Sequence, residues 1–433
     1  MPMSLSSKLL TAGAFLSFFV FGFVDNLKGP LLPEILRSEG MSYAQGGTFF
    51  LAAYIGFIIA TLASGVLADM LSNRYVMLLS AVCLIVGASG LNVVSSLLLL
   101  NVSMAIIGLG LGGIEVAANG LMIELHTAAR ARYLNLLGTF HGVGSLTVPL
   151  LVAWLIAIPL RWPQIYFCTA ILGIPLLVLF ALTRRDPPTQ PALDQPALDQ
   201  PALDTASAPS LDPTLALATP HQPLASQPTS TPPPHALTQP AANWLAKLRF
   251  GFTWRMGWFY ILICSYVAAE LGLAAWLVEY LQVEQGMSTT LSSLYLSSFF
   301  VLIMLGRFFG SWWIERVGYL RMIALALAGT FACLVAGIFG PDQWTWLLPF
   351  SGLFMSIVFP TIAAAVAAAH PTSVGSVLGL LFTFGGVGGA LGPWVIGLVS
   401  QAYGLSWGLA TTLIFCAIAI SALTILARPR IAD

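Results

Sequence analysis

The chain contains twelve separate stretches of about twenty or more mainly apolar residues, and no other feature restricts its fold as much. A stretch of ~20 apolar residues can cross the hydrocarbon core of a bilayer as a helix. Backbone polar groups in a bilayer must bond within the chain, so these stretches are expected to be helical. They lie near residues 9–36, 43–69, 75–95, 97–125, 132–158, 163–183, 253–282, 288–314, 320–340, 344–369, 373–402 and 405–427.

The composition agrees with a chain that lies mostly in lipid. Apolar residues make up 58% of the 433 residues and charged residues only 8%, against about a quarter in soluble domains. We predict an all-α polytopic membrane protein. The net charge of zero does not bear on nucleic-acid binding, but the lack of a basic run predicts that no nucleic acid is a partner. The five cysteines occur singly and without metal-ligand spacing, so no metal site is expected.

The basic residues predict the orientation in the membrane. With a cytoplasmic N-terminus, thirteen of the seventeen Lys and Arg residues lie on the cytoplasmic side. Arg37 and Arg161 fall in external loops, and Lys28 and Arg307 fall within spans. Such an excess of cytoplasmic Lys and Arg follows the positive-inside rule, so both termini are predicted to be cytoplasmic.

The two halves of the chain repeat each other. With a shift of 244 residues, positions 126–149 and 370–393 share ten identities, including TFHGVG against TFGGVG. Two like-oriented six-helix units indicate two pseudo-symmetric bundles with a site between them near the bilayer midplane.

The segment between the halves has a different composition. It is rich in Pro, Ala, Ser, Thr and Gln and contains QPALD three times, so it buries too little surface to offset its chain entropy. We predict an N-terminal six-helix bundle at 1–185, a disordered cytoplasmic linker at 186–248, and a C-terminal six-helix bundle at 249–433.

The segment GLGGIEVAANG places Glu115 near the middle of the fourth span. A carboxylate at the bilayer centre costs roughly 2.5–3.5 kcal/mol on insertion scales, so a compensating role is expected. Asn119 lies one turn away on the same face. We favour a functional glutamate, and a structural one bonded across helices is the alternative.

Other polar residues also lie within spans. Asp25 and Lys28 share a face of the first span, either as a structural ion pair or as one that opens when a proton arrives. Glu270 of the seventh span shares a face with Tyr266 and mirrors Asp25 under a shift of 245 residues. His141 is either a packing residue or a residue facing the cavity. Glu279, nearer the external end, is expected to be solvated.

Two corresponding cytoplasmic turns carry paired charges. One contains Gly65, Asp69 and Arg74, and the other contains Gly310, Glu315 and Arg316 after Arg307. An acid and a base at such a turn can form a pair that one conformation keeps and another loses. We predict gating roles for these residues, although ordinary loop charges would give the same pattern.

Several sequence matches carry no catalytic prediction. Gly108, Gly110 and Gly113 fit a dinucleotide-binding pattern but lie inside a membrane span, where close helix packing explains them better. The sequence has no HExxH, GxSxG or Walker motif, so we predict that the chain is not an enzyme and needs no cofactor.

The motifs together resemble a known family. The segments GLGGIEVAANG, TFHGVG, VDNLKGPLLP, VAAELGLAAWLVEY and LGRFFGSWWIERVG are similar to the fucose permease and glucose/galactose permease branch of the major facilitator superfamily. This resemblance covers essentially all twelve spans and excludes the linker. It implies a sugar:proton symporter of a bacterial inner membrane.

The resemblance also suggests residue roles. Glu115 matches the essential fourth-helix glutamate of the E-x-A-A-N pattern, Asn119 matches its asparagine, and Glu270 matches an acid of the glucose/galactose members. The first-helix aspartate of fucose permease falls on Gly29, one turn from Asp25, which could replace it. A glutamine of that family falls on Gly138, an asparagine falls on His141, and Lys28 has no counterpart. These departures put fucose itself in doubt.

We therefore predict alternating access with proton-coupled symport of a monosaccharide or similar small polyol, driven by the proton gradient and functional as a monomer. Glu115, Asp25 and Glu270 are the predicted proton-coupling residues. The predicted substrate-binding residues are Asn119, Asn26, Lys28, His141, Tyr266 and Trp276. A proton-coupled drug or metabolite exporter is the main alternative, and a sensor that binds ligand without transport is another.

Overall fold

The computed structural model describes residues 5–93, 96–126, 130–156, 158, 160–183, 253–370 and 374–428. Within these ranges the chain forms twelve helical spans and no strand, which confirms the predicted all-α membrane fold. The predicted linker lies outside the described residues, and the three-domain division stays a prediction. The α-helices are Leu5–Asn26, Lys28–Glu39, Tyr43–Met70, Asn73–Val93, Leu97–Leu125, Arg130–Ile156, Trp162–Leu182, Trp254–Val283, Thr289–Val317, Tyr319–Phe339, Leu347–Met355, Val358–Ala369, Val374–Tyr403 and Leu405–Ala427.

The first span is interrupted, although the sequence was interpreted as one continuous helix. Its two helices meet at Leu27, between Asn26 and Lys28. Pro30 has no amide hydrogen to donate to the carbonyl of Asn26, so the helical hydrogen-bond pattern fails there.

The tenth span is also interrupted, and the prediction of a continuous helix was again wrong. After a 3₁₀ turn at Asp342–Trp344, two short helices meet at Ser356 and Ile357. Pro360 cannot donate to the carbonyl of Ser356, which frees that carbonyl within the span.

The glycines around Glu115 allow the fourth span to pack closely on two neighbours. Gly108 contacts the carbonyl of Ala53 in the second span, and Gly110 contacts the carbonyl of Ser80 in the third span. A side chain at either position would displace a backbone rather than a flexible neighbour. The glycine pattern therefore serves helix packing, as predicted from its place in the sequence.

The internal repeat is visible in the packing. Gly144 of the fifth span contacts the carbonyl of Phe19 in the first span, and Gly388 of the eleventh span contacts the carbonyl of Cys264 in the seventh. Phe19 and Cys264 are 245 residues apart, and the two glycines are 244 apart. The same close approach therefore occurs at corresponding places in both halves.

The two halves pack together at the end of the bundle remote from the chain termini, which we call the closed end. There Gly47 lies against the backbone of Trp394, and Gly397 lies against the carbonyl of Tyr43. The amide of Tyr43 also donates to Gln401 Oε1 at 3.0 Å. Backbone contacts and glycines thus join the second and eleventh spans at this end.

Candidate functional site at mid-membrane depth

Glu115 lies partly buried in the middle of the fourth span. The side-chain amide of Asn119, one turn later, donates to Glu115 Oε1 at 3.1 Å and to the Glu115 carbonyl at 2.6 Å. The two residues that the sequence places one turn apart on one face are therefore hydrogen-bonded to each other. The amide fixes the direction of the carboxylate without neutralising its charge.

Asp25 and Lys28 form an ion pair across the break in the first span. Lys28 Nζ lies 2.6 Å from Asp25 Oδ1, and their side chains are 5% and 13% exposed respectively. This is the one ion pair found between described residues. The Tyr54 hydroxyl donates to Asp25 Oδ2 at 3.1 Å, and Lys28 Nζ lies 4.9 Å from the centre of the Tyr54 ring.

The helix break explains why this pair forms. Asp25 lies in the last turn of one helix and Lys28 at the first position of the next. The helix dipole disfavours an anion at a C-terminus and a cation at an N-terminus, so each charge needs a partner. Each provides the partner that the other lacks.

The pair borders the interface between the two halves. A cavity of about 20 Å³ is lined by Asp25, Lys28 and Tyr54 from one half and by Ala274 and Phe300 from the other. That volume accommodates about one water molecule. In this conformation residues of both halves therefore border the pair.

Glu270 lies next to the break in the tenth span. It interacts electrostatically with Arg307 and Tyr266. The Tyr266 hydroxyl donates to the Met355 carbonyl at 2.7 Å, and Arg307 Nε donates to the Ser356 carbonyl at 3.3 Å. Tyr266 and Arg307 thus satisfy carbonyls at the interruption while remaining beside the acid.

The titratable groups of both halves form one electrostatic cluster. Asp25 lies within interaction range of Glu115 and His141. His141 in turn interacts with Arg307, which interacts with Glu270. The three predicted acids, which are far apart in sequence, therefore belong to one series of electrostatically interacting neighbours.

Two further predicted residues, His141 and Asn26, lie where the first and fifth spans pack together. The ring of His141 makes an edge contact with Phe21 at a centroid distance of 4.8 Å. The side-chain amide of Asn26 donates to Gly22 O and to Ser145 Oγ, both at 2.9 Å. Asn26 thus joins the two spans and also lines the small cavity.

Trp276 is fully buried at the closed end, so it presents no free face to a ligand in this conformation. Its indole nitrogen donates to the Pro393 carbonyl at 2.9 Å, across the seventh and eleventh spans. The substrate-binding role of Trp276 stays a prediction.

Glu279 is 6% exposed and interacts with Tyr43 and Arg37, so the expectation of a solvated residue was wrong.

The predicted gating turns are described only in part, because the side chains of Asp69 and Glu315 lie outside the described residues. Arg74 Nε donates to the Phe180 carbonyl at 2.7 Å, at the end of the sixth span. Gly65 and Arg316 are exposed, and Gly310 packs against Ile357. Gating roles for these residues stay predictions.

Sequence reasoning missed Tyr54 and Ser145. Each binds a predicted residue through a contact of 29 or 119 positions in sequence. The one sequence signal for Tyr54 was its hydroxyl-bearing ring within an apolar span, and Ser145 gave no signal. Across the described residues no cluster of three metal-ligating side chains occurs.

Twelve spans in two repeated halves, with acids gathered at mid-depth between them, define a membrane transporter. The chain belongs to the Major Facilitator Superfamily, whose family model matches residues 14–350 and 293–432. The chain is 25% identical to the L-fucose-proton symporter of Escherichia coli over 423 residues, covering 89% of this chain and 86% of the relative. It is 24% identical to the cis,cis-muconate transport protein of Acinetobacter baylyi over 399 residues, covering 91% and 88%.

Solved structures share this fold. A bacterial homolog of the human lysosomal transporter Spinster, inward-facing and unoccupied, superposes with a TM-score of 0.74 at 15% identity, covering 98% of both chains. The outward conformation of FucP superposes with a TM-score of 0.62 at 20% identity, covering 98% of this chain and all of that one. The resemblance predicted from the motifs is therefore confirmed.

Proposed function

We propose that the chain is a secondary transporter that couples entry of a monosaccharide or similar small polyol to entry of protons. The observation that carries this proposal is the position of Glu115. Its carboxylate lies at mid-depth, is oriented by Asn119 and interacts electrostatically with Asp25. The ion pairs of the described residues do not include it. A carboxylate in this environment is suited to bind and release a proton.

The remaining groups have complementary roles in this proposal. Protonation of Asp25 would release Lys28, so the pair can respond to the same proton supply. Asn119, Asn26 and His141 offer amide and imidazole groups for sugar hydroxyls. The similarity to an L-fucose-proton symporter over 89% of the chain supports the substrate class. No cofactor is needed besides the proton gradient.

The conformation fits one half of an alternating-access cycle. With both termini in the cytoplasm, the closed end is external, and the cycle proceeds by opening it while the cytoplasmic end closes. We place the protein in the inner membrane as a monomer. The placement of both termini in the cytoplasm rests on the distribution of Lys and Arg.

Proteoliposomes with a trapped pH dye test the proposal. Sugars are added outside one at a time, with cis,cis-muconate included because a relative is named for its transport. Acidification inside is expected with one or a few sugars.

The Glu115→Gln variant is expected to lose at least nine-tenths of this signal while keeping substrate exchange, which needs no net proton movement. Glu124→Gln is the matched control, since Glu124 is on the same span and is bonded to Asn73 at the helix end. Full proton-driven accumulation by Glu115→Gln would refute the assignment.

One observation favours a second candidate, proton-coupled export of amphipathic compounds. A groove of about 590 Å³ between the first and fifth spans is lined almost entirely by apolar side chains, including Phe15, Phe19 and Phe140. An apolar compound gains free energy by leaving water for such a surface. If all sugars are silent, export of amphipathic dyes from the same vesicles tests this candidate.

A further inference from the structure

The eighth span, Thr289–Val317, has one face directed at the N-terminal half. Positions 293, 297, 300 and 304 share this face because they are three or four residues apart. Phe300 lines the small cavity beside Asp25 and Lys28, and Met304 packs against Gly142 of the fifth span. Exposed positions such as Leu294 and Ser298 lie on a different face.

Ser293 and Ser297 on this face are buried without hydrogen-bond partners. They are 0% and 5% exposed, and neither hydroxyl has a partner among the described residues. Other serines of the same helix are satisfied: Ser292 donates to the Ser288 carbonyl and Ser298 to the Leu294 carbonyl. A buried hydroxyl without a partner is unfavourable, so Ser293 and Ser297 destabilise the packed conformation.

The two serines continue from the small cavity toward the closed end. At 1.5 Å per residue, Ser297 lies ~4.5 Å and Ser293 ~10.5 Å beyond Phe300 along the helix. Opening of the closed end would separate the eighth span from the N-terminal half. Both hydroxyls would then face an aqueous vestibule leading to Asp25 and Lys28.

We infer that Ser293 and Ser297 form a binding strip in that vestibule for a polyhydroxylated solute on its way to the mid-depth site. A serine hydroxyl donates and accepts, which matches the hydroxyls of a sugar. The strip rests on the proposed function for its ligand class, but its exposure in the open state does not. The unmet hydroxyls also favour opening, because they gain partners only when the end opens.

Accessibility of introduced cysteines tests the exposure. Sealed vesicles contain the Ser293→Cys or the Ser297→Cys variant. A membrane-impermeant maleimide is added on the side of the membrane where the closed end lies. Position 38 is exposed at that end, so labelling of the Ser38→Cys variant verifies which side of the membrane the reagent reaches. The parent chain controls for the five native cysteines. Ser298→Cys is the matched control on the outer face of the same helix.

Both strip positions are expected to react above the parent level, and Ser298→Cys is not. The sugar that acidifies the vesicles is expected to slow this labelling at least threefold. Absence of labelling in variants that still transport would overturn the inference. Labelling without protection by a transported sugar would overturn the binding strip. If no sugar is transported at all, the proposed function fails while labelling still reports the exposure.

Alanine variants separate binding from conformational preference. Ser293→Ala and Ser297→Ala are each expected to raise the external KM about three- to tenfold, the loss of one hydrogen bond, whereas Ser298→Ala leaves it unchanged. Adding Ser297→Ala to Ser293→Cys removes one unmet hydroxyl from the packed state, so it is expected to slow labelling. Faster labelling and an unchanged KM would contradict the inference.

Discussion

At the residue scale, the Asp25–Lys28 pair allows a role in stability and a role in transport to be tested together. The Lys28 side chain is buried and the Asp25 side chain is only 13% exposed, at the boundary of two helices and of two halves. Removing one partner from a buried pair leaves an uncompensated charge, whereas removing both leaves none. The pair is therefore better tested by a cycle of variants than by a single substitution.

We expect Lys28→Met to lower the free energy of unfolding by about 3–5 kcal/mol, since Asp25 then remains buried without its cation. The Asp25→Asn/Lys28→Met double variant is expected to recover at least half of that loss. Thermal unfolding in detergent measures both. Equal losses in the single and double variants would show that charge pairing is not the cause.

The same double variant separates the two interpretations left open by the sequence. A merely structural pair predicts normal proton-coupled uptake once folding is restored. A pair that takes part in coupling predicts a folded protein whose uptake no longer acidifies the vesicle. Uptake and internal pH measured on one preparation distinguish these outcomes.

Sequence reasoning located single residues well where the residue type itself was unusual. Glu115 is a carboxylate in an apolar run, and its Asn119 partner is one turn away, so both were predictable. The Tyr54 bond to Asp25 was not, because contacts between separate spans depend on packing that local spacing does not encode. Ser145 was missed for the same reason.

At the element scale, the broken tenth span depends on side chains from neighbouring spans. The Tyr266 hydroxyl, which is buried, donates to the Met355 carbonyl next to the break. This bond makes Tyr266 a structural residue, whatever else it does. The prolines at 30 and 360 were visible in the sequence, but the donors that satisfy the interrupted helices were not.

The Tyr266→Phe variant tests this role of the tyrosine. Loss of the hydroxyl leaves a buried carbonyl unsatisfied, so the free energy of unfolding should fall by about 1–3 kcal/mol. Tyr403→Phe, at a tyrosine that is 74% exposed, is the control and should stay within about 0.5 kcal/mol. A loss in substrate affinity without a loss in thermal stability would instead favour a binding role.

At the scale of the whole molecule, the closed end depends on two backbones approaching closely. A Cβ at Gly397 would lie 2.6 Å from the Tyr43 carbonyl and 3.0 Å from the Trp276 ring. Gly379 belongs to the same span, but no atom of the described residues lies within 4 Å of a Cβ built there. The two glycines therefore form a matched pair for testing closure.

We expect Gly397→Leu to hold the closed end apart and reduce net transport at least tenfold, because a side chain there displaces backbone from the other half. Gly379→Leu should leave transport within about twofold. Spin labels at Ser38 and Tyr403, both exposed, measure the separation at that end. An unchanged distance distribution in Gly397→Leu would contradict the expected opening.

The repeat and the twelve spans were predictable because bilayer thickness imposes length and composition on every span. The conformation was not predictable, because contacts between the two halves depend on packing that local spacing does not encode. Gly47, Gly397 and Trp394 carry no signal of which arrangement they stabilise. Their role becomes visible only when both halves are seen together.

The seal at the closed end includes glycines, main-chain carbonyls and an edge contact between the Tyr43 and Trp276 rings, and Arg37 donates to Gln282 beside them. Mobile ions screen exposed charge pairs strongly, but they have little effect on neutral surfaces in van der Waals contact. The backbone contacts of the closed end should therefore keep their strength as the medium changes from dilute to saline, whereas the interaction of Arg37 with Glu279 beside them should weaken.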